Sequence, residues 1–263
     1  MHRFIFLFTF IIFFSTNLNG QILNLQNSKI EKDSSLIKGN VTASFSMYNR
    51  SAAADEPVEF FGYNIKSSIA LFLKNSRIAF INDFSYLRIN EDPFLNTGFQ
   101  DLRFSMFEDR RVHPEAFVQF QYDNFRGLFP RWIAGVGLRH DLVKTDNFSF
   151  FFSPGIIWEY EAWLIPGTED QVKVNFLKST NYIGFRWDVN DYLDINTINY
   201  YQTTYDNEAK LWRNRYSIEI NINSKITERL GINNSFTLSY EDEPIVPITQ
   251  TIYNFTAGVN YRF

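Results

Sequence analysis

The sequence predicts an all-β protein, a closed antiparallel transmembrane β-barrel of the outer-membrane type with about 12 strands. Polar and apolar residues alternate along many segments of roughly ten residues or more, which suits tilted membrane strands better than the shorter strands of soluble sheets. The polar face of these segments carries charged residues, and the final segment, "TAGVNYRF", alternates up to an aromatic residue. Together these observations indicate a wet interior and an apolar outer surface.

Composition argues against several other classes of protein. The 263 residues include 29 Phe and 14 Tyr, yet no apolar run reaches the ~18 residues that a membrane helix needs. A net charge of −4 argues against a nucleic-acid partner, because phosphates require a basic face. The absence of cysteine excludes disulfides and thiolate metal or iron–sulfur sites. No residue pattern indicates another metal site or a cofactor.

The first residues have the three-part plan of a secretory signal peptide, which we assign to residues 1–20. Arg3 precedes an apolar stretch from Phe4 to Phe14, and we expect cleavage after Gly20. The alternative is a buried first element of the fold. Residues 21–35 are polar and are expected to form a periplasmic lead-in to a barrel over residues 36–263. This plan, with no cysteine for a lipid anchor, predicts export to the outer membrane of a Gram-negative bacterium.

Period-two alternation is clearest in the later predicted strands. In one of them an apolar face opposes a polar face: Tyr216, Ile218, Ile220 and Ile222 against Ser217, Glu219, Asn221 and Asn223. The same pattern recurs over residues 116–122, 134–138 and 232–240. The segment from Tyr192 to Thr203 alternates poorly, which predicts a β-bulge.

Short and long connections also alternate along the chain. Short ones are expected near residues 74–76, 108–113, 143–147, 190–191 and 227–230. Longer ones are expected near residues 50–59, 90–97, 125–130, 164–178, 206–214 and 241–250. These connections join an even number of strands and place the long loops on one side of the barrel. This asymmetry between short turns and long loops is typical of bacterial outer-membrane barrels.

Two features favour an outer-membrane barrel over a soluble lipocalin-type barrel, whose apolar face points inward. First, a wet lumen accommodates charged residues on the inward face. The candidate lumen-lining residues are Glu115, Arg139, Glu159, Glu161, Arg186 and Asp188. Second, aromatic residues gather near strand ends, as in the girdles at membrane interfaces. Those expected toward the long loops are Trp132, Trp158, Tyr160, Tyr216 and Tyr240, and those toward the short turns are Trp187, Tyr261 and Phe263.

The final strand carries a candidate assembly signal. Thr256, Gly258, Tyr261 and Phe263 form a polar–x–Gly–x–x–aromatic–x–aromatic pattern. This pattern resembles the C-terminal signal by which the barrel-assembly machinery recognises its clients. Because every backbone N–H and C=O group needs a partner in lipid, we expect this strand to pair with the first strand and close the barrel.

Neither histidine outside the predicted signal peptide predicts a hydrolase. His113 precedes Pro114 and is expected to be a solvated turn residue. His140 is flanked on its face of the strand by Leu138 and Leu142, so the same-strand serine of outer-membrane phospholipases is missing. We therefore predict no catalytic residue from the histidines.

Carboxylates offer two further candidate sites. Glu159 and Glu161 share one face of a strand and could form an acid–base pair. We favour instead an ion network in which Arg139 and Arg186, on adjoining strands, pair with them. Acidic pairs in the predicted long loops, at residues 55–56, 91–92, 169–170 and 241–243, could bind Ca²⁺ or Mg²⁺, but solvated loop charge is favoured.

The middle of the chain resembles the salt-stress-induced outer-membrane protein family, domain of unknown function 481. The features that carry this resemblance lie between Arg111 and Leu164 and are Glu115–Gln119, Tyr122, Arg126–Leu128, Arg131, Gly135–Arg139 and Tyr160–Glu161. The resemblance implies the same barrel and the same location. It implies no catalytic residues, because the family has no established activity.

The sequence thus favours a non-enzymatic, monomeric barrel that supports envelope integrity under salt stress or forms a narrow pore for ions and small solutes. Its expected partners are outer-membrane lipid, lipopolysaccharide and the barrel-assembly machinery. Two alternatives stay open. One is an enzyme that modifies lipid or lipopolysaccharide at Glu159 and Glu161, and the other is a barrel that binds a partner through its long loops.

Overall fold

A computed structural model describes residues 36–50 and 58–263 of the chain. These residues form twelve antiparallel strands, each hydrogen-bonded to the next, and β12 pairs with β1 to close a barrel. The strands are β1 Ile37–Arg50, β2 Val58–Phe72, β3 Ser76–Ile89, β4 Asp92–Met106, β5 Val112–Asp123, β6 Leu128–Lys144, β7 Phe148–Leu164, β8 Gln171–Asn190, β9 Leu193–Asp206, β10 Leu211–Lys225, β11 Leu230–Glu241 and β12 Thr251–Arg262. The predicted fold class is confirmed.

Two predicted segments, the signal peptide over residues 1–20 and the lead-in over residues 21–35, lie outside the described residues. No helix in the described part of the chain is long and apolar enough to cross a membrane.

The two faces of the barrel wall have opposite chemistry. On β10, Arg215, Ser217 and Glu219 are buried inside the barrel, whereas Tyr216 and Ile222 are exposed on the outside. The same alternation recurs along most of the described strands, because successive side chains point to opposite faces of a sheet. An apolar exterior around a polar, charged interior is the arrangement of a barrel surrounded by lipid.

The two ends of the barrel differ in their connections. We call the end that carries residues 73–75, 107–111, 145–147, 191–192 and 226–229 the turn end, and the opposite end the loop end. Among the described residues, the loop end carries 90–91, 124–127, 165–170, 207–210 and 242–250.

Several loops at the loop end are shorter than predicted. Residues 90–91 form a tight turn, and Asn90 adopts a φ of 54° there. β8 begins at Gln171, so residues 171–178 belong to a strand and not to a loop. The strands are longer than the segments in which polar and apolar residues alternate, because backbone pairing between neighbouring strands continues beyond those segments. Trp163 and Val172, for example, are paired.

The predicted bulge in β9 is wrong. β9 pairs with β10 without interruption, and the register shift between β8 and β9 lies at the turn end, between Asp188 and Asn190. The alternation is irregular for a different reason: Ile198 and Tyr200 face inward and join Phe151 and Tyr182 in an apolar cluster inside the barrel.

Aromatic pairs lie on the outer surface toward both ends. Toward the loop end, Phe120 lies 4.6 Å from Trp132 between ring centroids, and Tyr201 lies 4.8 Å from Tyr216. Toward the turn end, Phe148 and Phe185 stack at 6.2 Å. Trp158 lies in the loop-end half of β7, opposite Ala134.

Closure depends on a close approach between β12 and β1. Their register runs from Asn40↔Arg262 to Ala43↔Val259, and Gly39 and Phe263 exchange backbone hydrogen bonds. A Cβ atom at Gly258 would stand 2.2 Å from Ser44 Oγ and 3.1 Å from the Ala43 carbonyl oxygen. The glycine of the predicted assembly signal therefore has a steric role in the barrel itself.

Candidate functional site

The interior of the barrel holds two groups of charged residues. The loop-end cluster consists of Arg126, Arg131, Glu159, Glu161, Lys178, Arg215 and Glu241. The mid-barrel cluster consists of Asp101, Arg103, Glu115, Gln119 and Tyr182. Both clusters join strands that are not neighbours, so their side chains cross the lumen.

Glu159 and Glu161 are the centre of the loop-end cluster. Both are fully buried. Arg131 Nε lies 2.8 Å from Glu159 Oε1 and 3.1 Å from Glu161 Oε1. Arg215 reaches from β10 and donates to Glu159 Oε1 and to Glu161 Oε1, both at 2.9 Å. Lys178 forms a further ion pair with Glu159.

The remaining members extend this cluster to the rim of the barrel. Arg215 Nε lies 3.1 Å from Glu241 Oε1, and Arg126 Nη2 lies 3.6 Å from the same oxygen. Arg126 also stands over the ring of Trp163 at 5.2 Å, and Trp163 Nε1 donates to Glu161 Oε2 at 3.0 Å. Buried carboxylates are tolerated only when cations and hydrogen-bond donors compensate them, and here four cations surround three carboxylates.

The mid-barrel cluster centres on Arg103, which is almost fully buried. Its guanidinium lies 3.3 Å from Asp101 Oδ2 and 3.4 Å from Glu115 Oε2, and it covers the ring of Phe117 at 4.3 Å. The hydroxyl of Tyr182 on β8 donates to Glu115 on β5, a contact across the lumen. Tyr182 in turn packs against Tyr200, with ring centroids 5.1 Å apart.

The opposite wall of the interior is lined by small polar side chains. We call it the hydroxyl wall, and its buried members are Thr42, Ser68, Ser217, Ser235, Thr237 and Ser239. One long side chain crosses this wall: Lys66 Nζ lies 3.6 Å from Asp83 Oδ2 and donates to Ser235 Oγ at 3.2 Å. Small neutral side chains therefore predominate on this wall, although Lys66 on β2 and Arg215 and Glu219 on β10 lie on the same strands.

Residues 242–250 fold over the loop-end mouth. Val246 is only 3% exposed and packs against Leu128 and Trp163, with Ile245 and Ile248 beside it. Asp242 anchors the start of this loop by accepting hydrogen bonds from the backbone and side-chain amides of Asn214, at 2.7 and 2.6 Å. A cavity of about 10 Å³ remains beneath the loop, lined by residues that include Lys178, Arg215 and Glu241. That volume corresponds to about one water molecule.

Of the candidate lumen-lining residues, Glu115, Glu159 and Glu161 are buried, and Arg139, Arg186 and Asp188 are half-buried. Arg139 pairs with Asp141 at 3.0 Å, and Arg186 pairs with Asp188. The predicted pairing of these two arginines with Glu159 and Glu161 is wrong. Arg186 stands opposite Ser149, which is about 33 Å from Glu159 along β7 at ~3.3 Å per residue.

Arg131 and Arg215 were not predicted to be partners of Glu159 and Glu161, although the alternation of the sequence indicates that both arginines face the lumen. Arg131 shares its face of β6 with Gly135 and Arg139, and Arg215 shares its face of β10 with Ser217 and Glu219. Alternation would have placed both inside the barrel. Lys178 was missed for another reason, since the sequence assigns it to a loop that proved to be part of β8.

His113 is buried and not solvated, which corrects the sequence-based expectation. β5 begins one residue earlier, so His113 points inward, and its Nε2 lies 3.0 Å from Asp141 Oδ2. Over residues 36–50 and 58–263, no group of three or more His, Cys, Asp or Glu side chains could hold a metal ion. The predicted acidic pair at residues 55–56 lies outside the described residues.

Several solved structures are similar to this chain. The translocator domain of the autotransporter NalP from Neisseria meningitidis is 7% identical over 89% of this chain and 90% of its own, with a TM-score of 0.50. The NanC porin is 10% identical over 86% of this chain and 100% of its own, with a TM-score of 0.46. The KdgM porin is 9% identical over 86% of this chain and 99% of its own, with a TM-score of 0.41. At this identity the likeness to NalP concerns the fold alone. No curated protein matches the chain.

A family model described as "Protein of unknown function, DUF481" matches residues 61–263. The match covers eleven of the twelve strands wholly or in large part, and with them both charged clusters and the loop over the mouth. The chain therefore belongs to the DUF481 family, and its fold is a closed twelve-stranded barrel of the outer-membrane type.

Proposed function

We propose that this protein is a non-enzymatic outer-membrane barrel with a narrow path for ions and small solutes, closed at the loop end by residues 242–250. The observation that carries this proposal is the position of Val246 inside the mouth, directly above a charged interior. A barrel that served only as a scaffold could be filled by apolar side chains, which cost less to bury than ion pairs.

The path that we propose follows the hydroxyl wall. Hydroxyl groups both donate and accept hydrogen bonds, so this wall can exchange contacts with water or a permeating ion. The charged clusters lie mainly on β4 to β8 and narrow the lumen. Twelve strands place the barrel between small filled barrels and open sixteen-stranded porins, so side chains decide whether it conducts.

Conductance of the refolded protein without residues 1–20, in a planar lipid bilayer, tests this proposal. We expect small, infrequent single-channel steps, because residues 242–250 cover the mouth and the charged clusters narrow the lumen. The matched variant replaces residues 243–249 by a Gly–Ser linker of equal length, and we expect it to open more often. A folded barrel that stays silent in both forms would reject the pore and favour a structural role.

We also propose that residues 1–20 direct export to the outer membrane of a Gram-negative cell, and that the mature barrel acts there as a monomer. Outer-membrane lipid and lipopolysaccharide would surround its apolar exterior. The barrel-assembly machinery would insert it by recognising Thr256, Gly258, Tyr261 and Phe263. The supporting observations are the signal-like start of the sequence and the pattern of the last strand.

The resemblance to salt-stress-induced proteins leads us to propose a role in envelope integrity at high salt. The test is growth of a deletion strain at high and at ordinary salt, with the intact gene returned as control. We expect slower growth only at high salt, and equal growth of both strains would reject this role.

An enzyme that modifies lipid at Glu159 and Glu161 has less support. Both carboxylates are buried inside the lumen, and each contacts Arg131 and Arg215. A lipid substrate lies outside the wall, so it would have to enter the interior and displace these ion pairs.

A further inference from the structure

The outer wall of the barrel carries an apolar groove that crosses β3 to β8. Its volume is about 600 Å³, within the range of small-molecule binding sites. The side chains that shape it are Leu102, Phe104, Ala116, Ala134, Ile156 and Trp158. The groove opens toward the surroundings of the barrel and not toward the lumen, because these residues belong to the outward face.

The groove follows from the register of the strands. Ala116 on β5 stands between Phe104 and Val136, and Ala134 on β6 stands between Val118 and Trp158. The small side chains of Ala116 and Ala134 therefore lie next to each other on the two central strands, β5 and β6. Larger side chains on β4 and β7 flank them. Their difference in size produces the depression.

The floor of the groove is closed by a tight contact with the interior. A Cβ atom at Gly135 would stand 2.5 Å from the ring of Phe117 and 2.7 Å from Ile157 Cγ2. The Phe117 ring thus fills the space inside the wall, and Arg103 covers that ring at 4.3 Å. Because Arg103 is held by Asp101 and Glu115, its charge is already compensated on the lumen side.

The groove lies at the depth of the hydrocarbon core. On β5 and β6 the groove begins on the turn-end side of the Phe120–Trp132 pair. On β7 the groove lies on the loop-end side of Phe148, which stacks on Phe185. Aromatic pairs of this kind mark the two membrane interfaces, so the groove stands between them. At that depth the available ligand is hydrocarbon, and apart from Arg103, which stands behind the Phe117 ring, the lining offers only apolar contacts.

We propose that this groove is a binding site for one acyl chain of a membrane phospholipid. The tails of the bilayer are as apolar as the groove, so affinity arises from close packing and shape and not from the hydrophobic effect. A tail that fills the groove contacts the wall on several sides, whereas a tail on the flat exterior contacts it on one. The site therefore retains a lipid longer than the rest of the exterior does.

Native mass spectrometry of the intact folded barrel in detergent, with added dipalmitoyl phosphatidylethanolamine, tests the proposal. Ala116→Leu and Ala134→Leu each fill the groove, and Ala257→Leu makes the same change on the exposed face of β12. We expect the wild type and Ala257→Leu to retain one lipid and each groove variant to lower the bound fraction at least about fivefold. Heat-dependent gel migration confirms that all forms are folded.

Three results would overturn the proposal. The first is a wild type that retains no lipid, and the second is equal retention by all variants. The third is retention of something other than phospholipid. This could be a free fatty acid, or a second copy of the chain in a dimer that the Ala134→Leu substitution dissociates. Because each of these is read from mass alone, none depends on whether the barrel conducts ions.

Discussion

Arg215 and Glu159 meet inside the barrel although they stand on β10 and β7, with Nη1 of the arginine 2.9 Å from Oε1 of the glutamate. Arg215 also contacts Glu161 and Glu241, so one guanidinium connects three carboxylates from two strands. This relationship ties the walls of the lumen together near the loop end. It also makes Arg215 the residue whose loss should disturb the interior most.

We expect Arg215→Gln to lower the free energy of unfolding by about 3–5 kcal/mol, because it leaves buried carboxylates undercompensated. Arg229→Gln, in the exposed turn between β10 and β11, should change it by less than about 0.5 kcal/mol. Urea unfolding in lipid vesicles, followed by tryptophan fluorescence, measures both. Glu159→Gln combined with Arg215→Gln should cost less than the sum of the single changes, since the two residues interact. Strict additivity would contradict the contact.

Glu159→Gln should shift the ion preference of any conductance that the barrel shows toward anions. The change leaves Arg131, Lys178 and Arg215 facing Glu161, so the local charge becomes more positive. Reversal potentials in a salt gradient measure the effect, and Glu91→Gln in the exposed turn before β4 serves as control. An unchanged reversal potential would show that the loop-end cluster does not line the ion path. The same variant tests the enzymatic alternative, since loss of fatty-acid release from lipid would support that reading instead.

Val246→Asp should open the loop-end mouth. Burying a carboxylate beside Leu128 and Trp163 is costly, and the nearby Arg126 already pairs with Glu241, so residues 242–250 should leave the mouth. We expect a several-fold higher frequency of single-channel openings. Thr249→Asp adds the same charge at an exposed position of the same loop and should leave the openings unchanged. Equal effects of the two variants would mean that added charge, and not the release of Val246, controls the conductance.

Gly258→Ala should impair closure of the barrel, because its Cβ would overlap Ser44 Oγ and crowd the Ala43 carbonyl. The expected result is a lower yield of heat-modifiable, folded barrel when the protein refolds into lipid vesicles. Ser44→Gly in the same chain removes the nearest atom and should restore much of the yield. Ala257→Val, on the outward face of β12, is the matched control. A failure of Ser44→Gly to rescue folding would show that Gly258 acts through something other than this contact.

Alternation along the chain was enough to predict which residues of β10 face the lumen and which face lipid. It also placed Glu159 and Glu161 together, since residues two apart on one strand share a face. Alternation failed at β9, where Ile198 and Tyr200 point inward to pack against Phe151 and Tyr182. It also failed to show that His113 is buried beside Asp141, because the start of β5 could not be distinguished from a turn.

The sequence by itself determined the class of fold, the two faces of each strand and the charged nature of the interior. These are local properties, set by the period of two along a strand. Only the tertiary structure decided that Arg131, Lys178 and Arg215 hold the glutamates, that Val246 closes the mouth, and that two alanines form a groove in the outer wall. These depend on the register between strands and on closure of the barrel, which bring together residues whose distance in the chain carries no information about their contact.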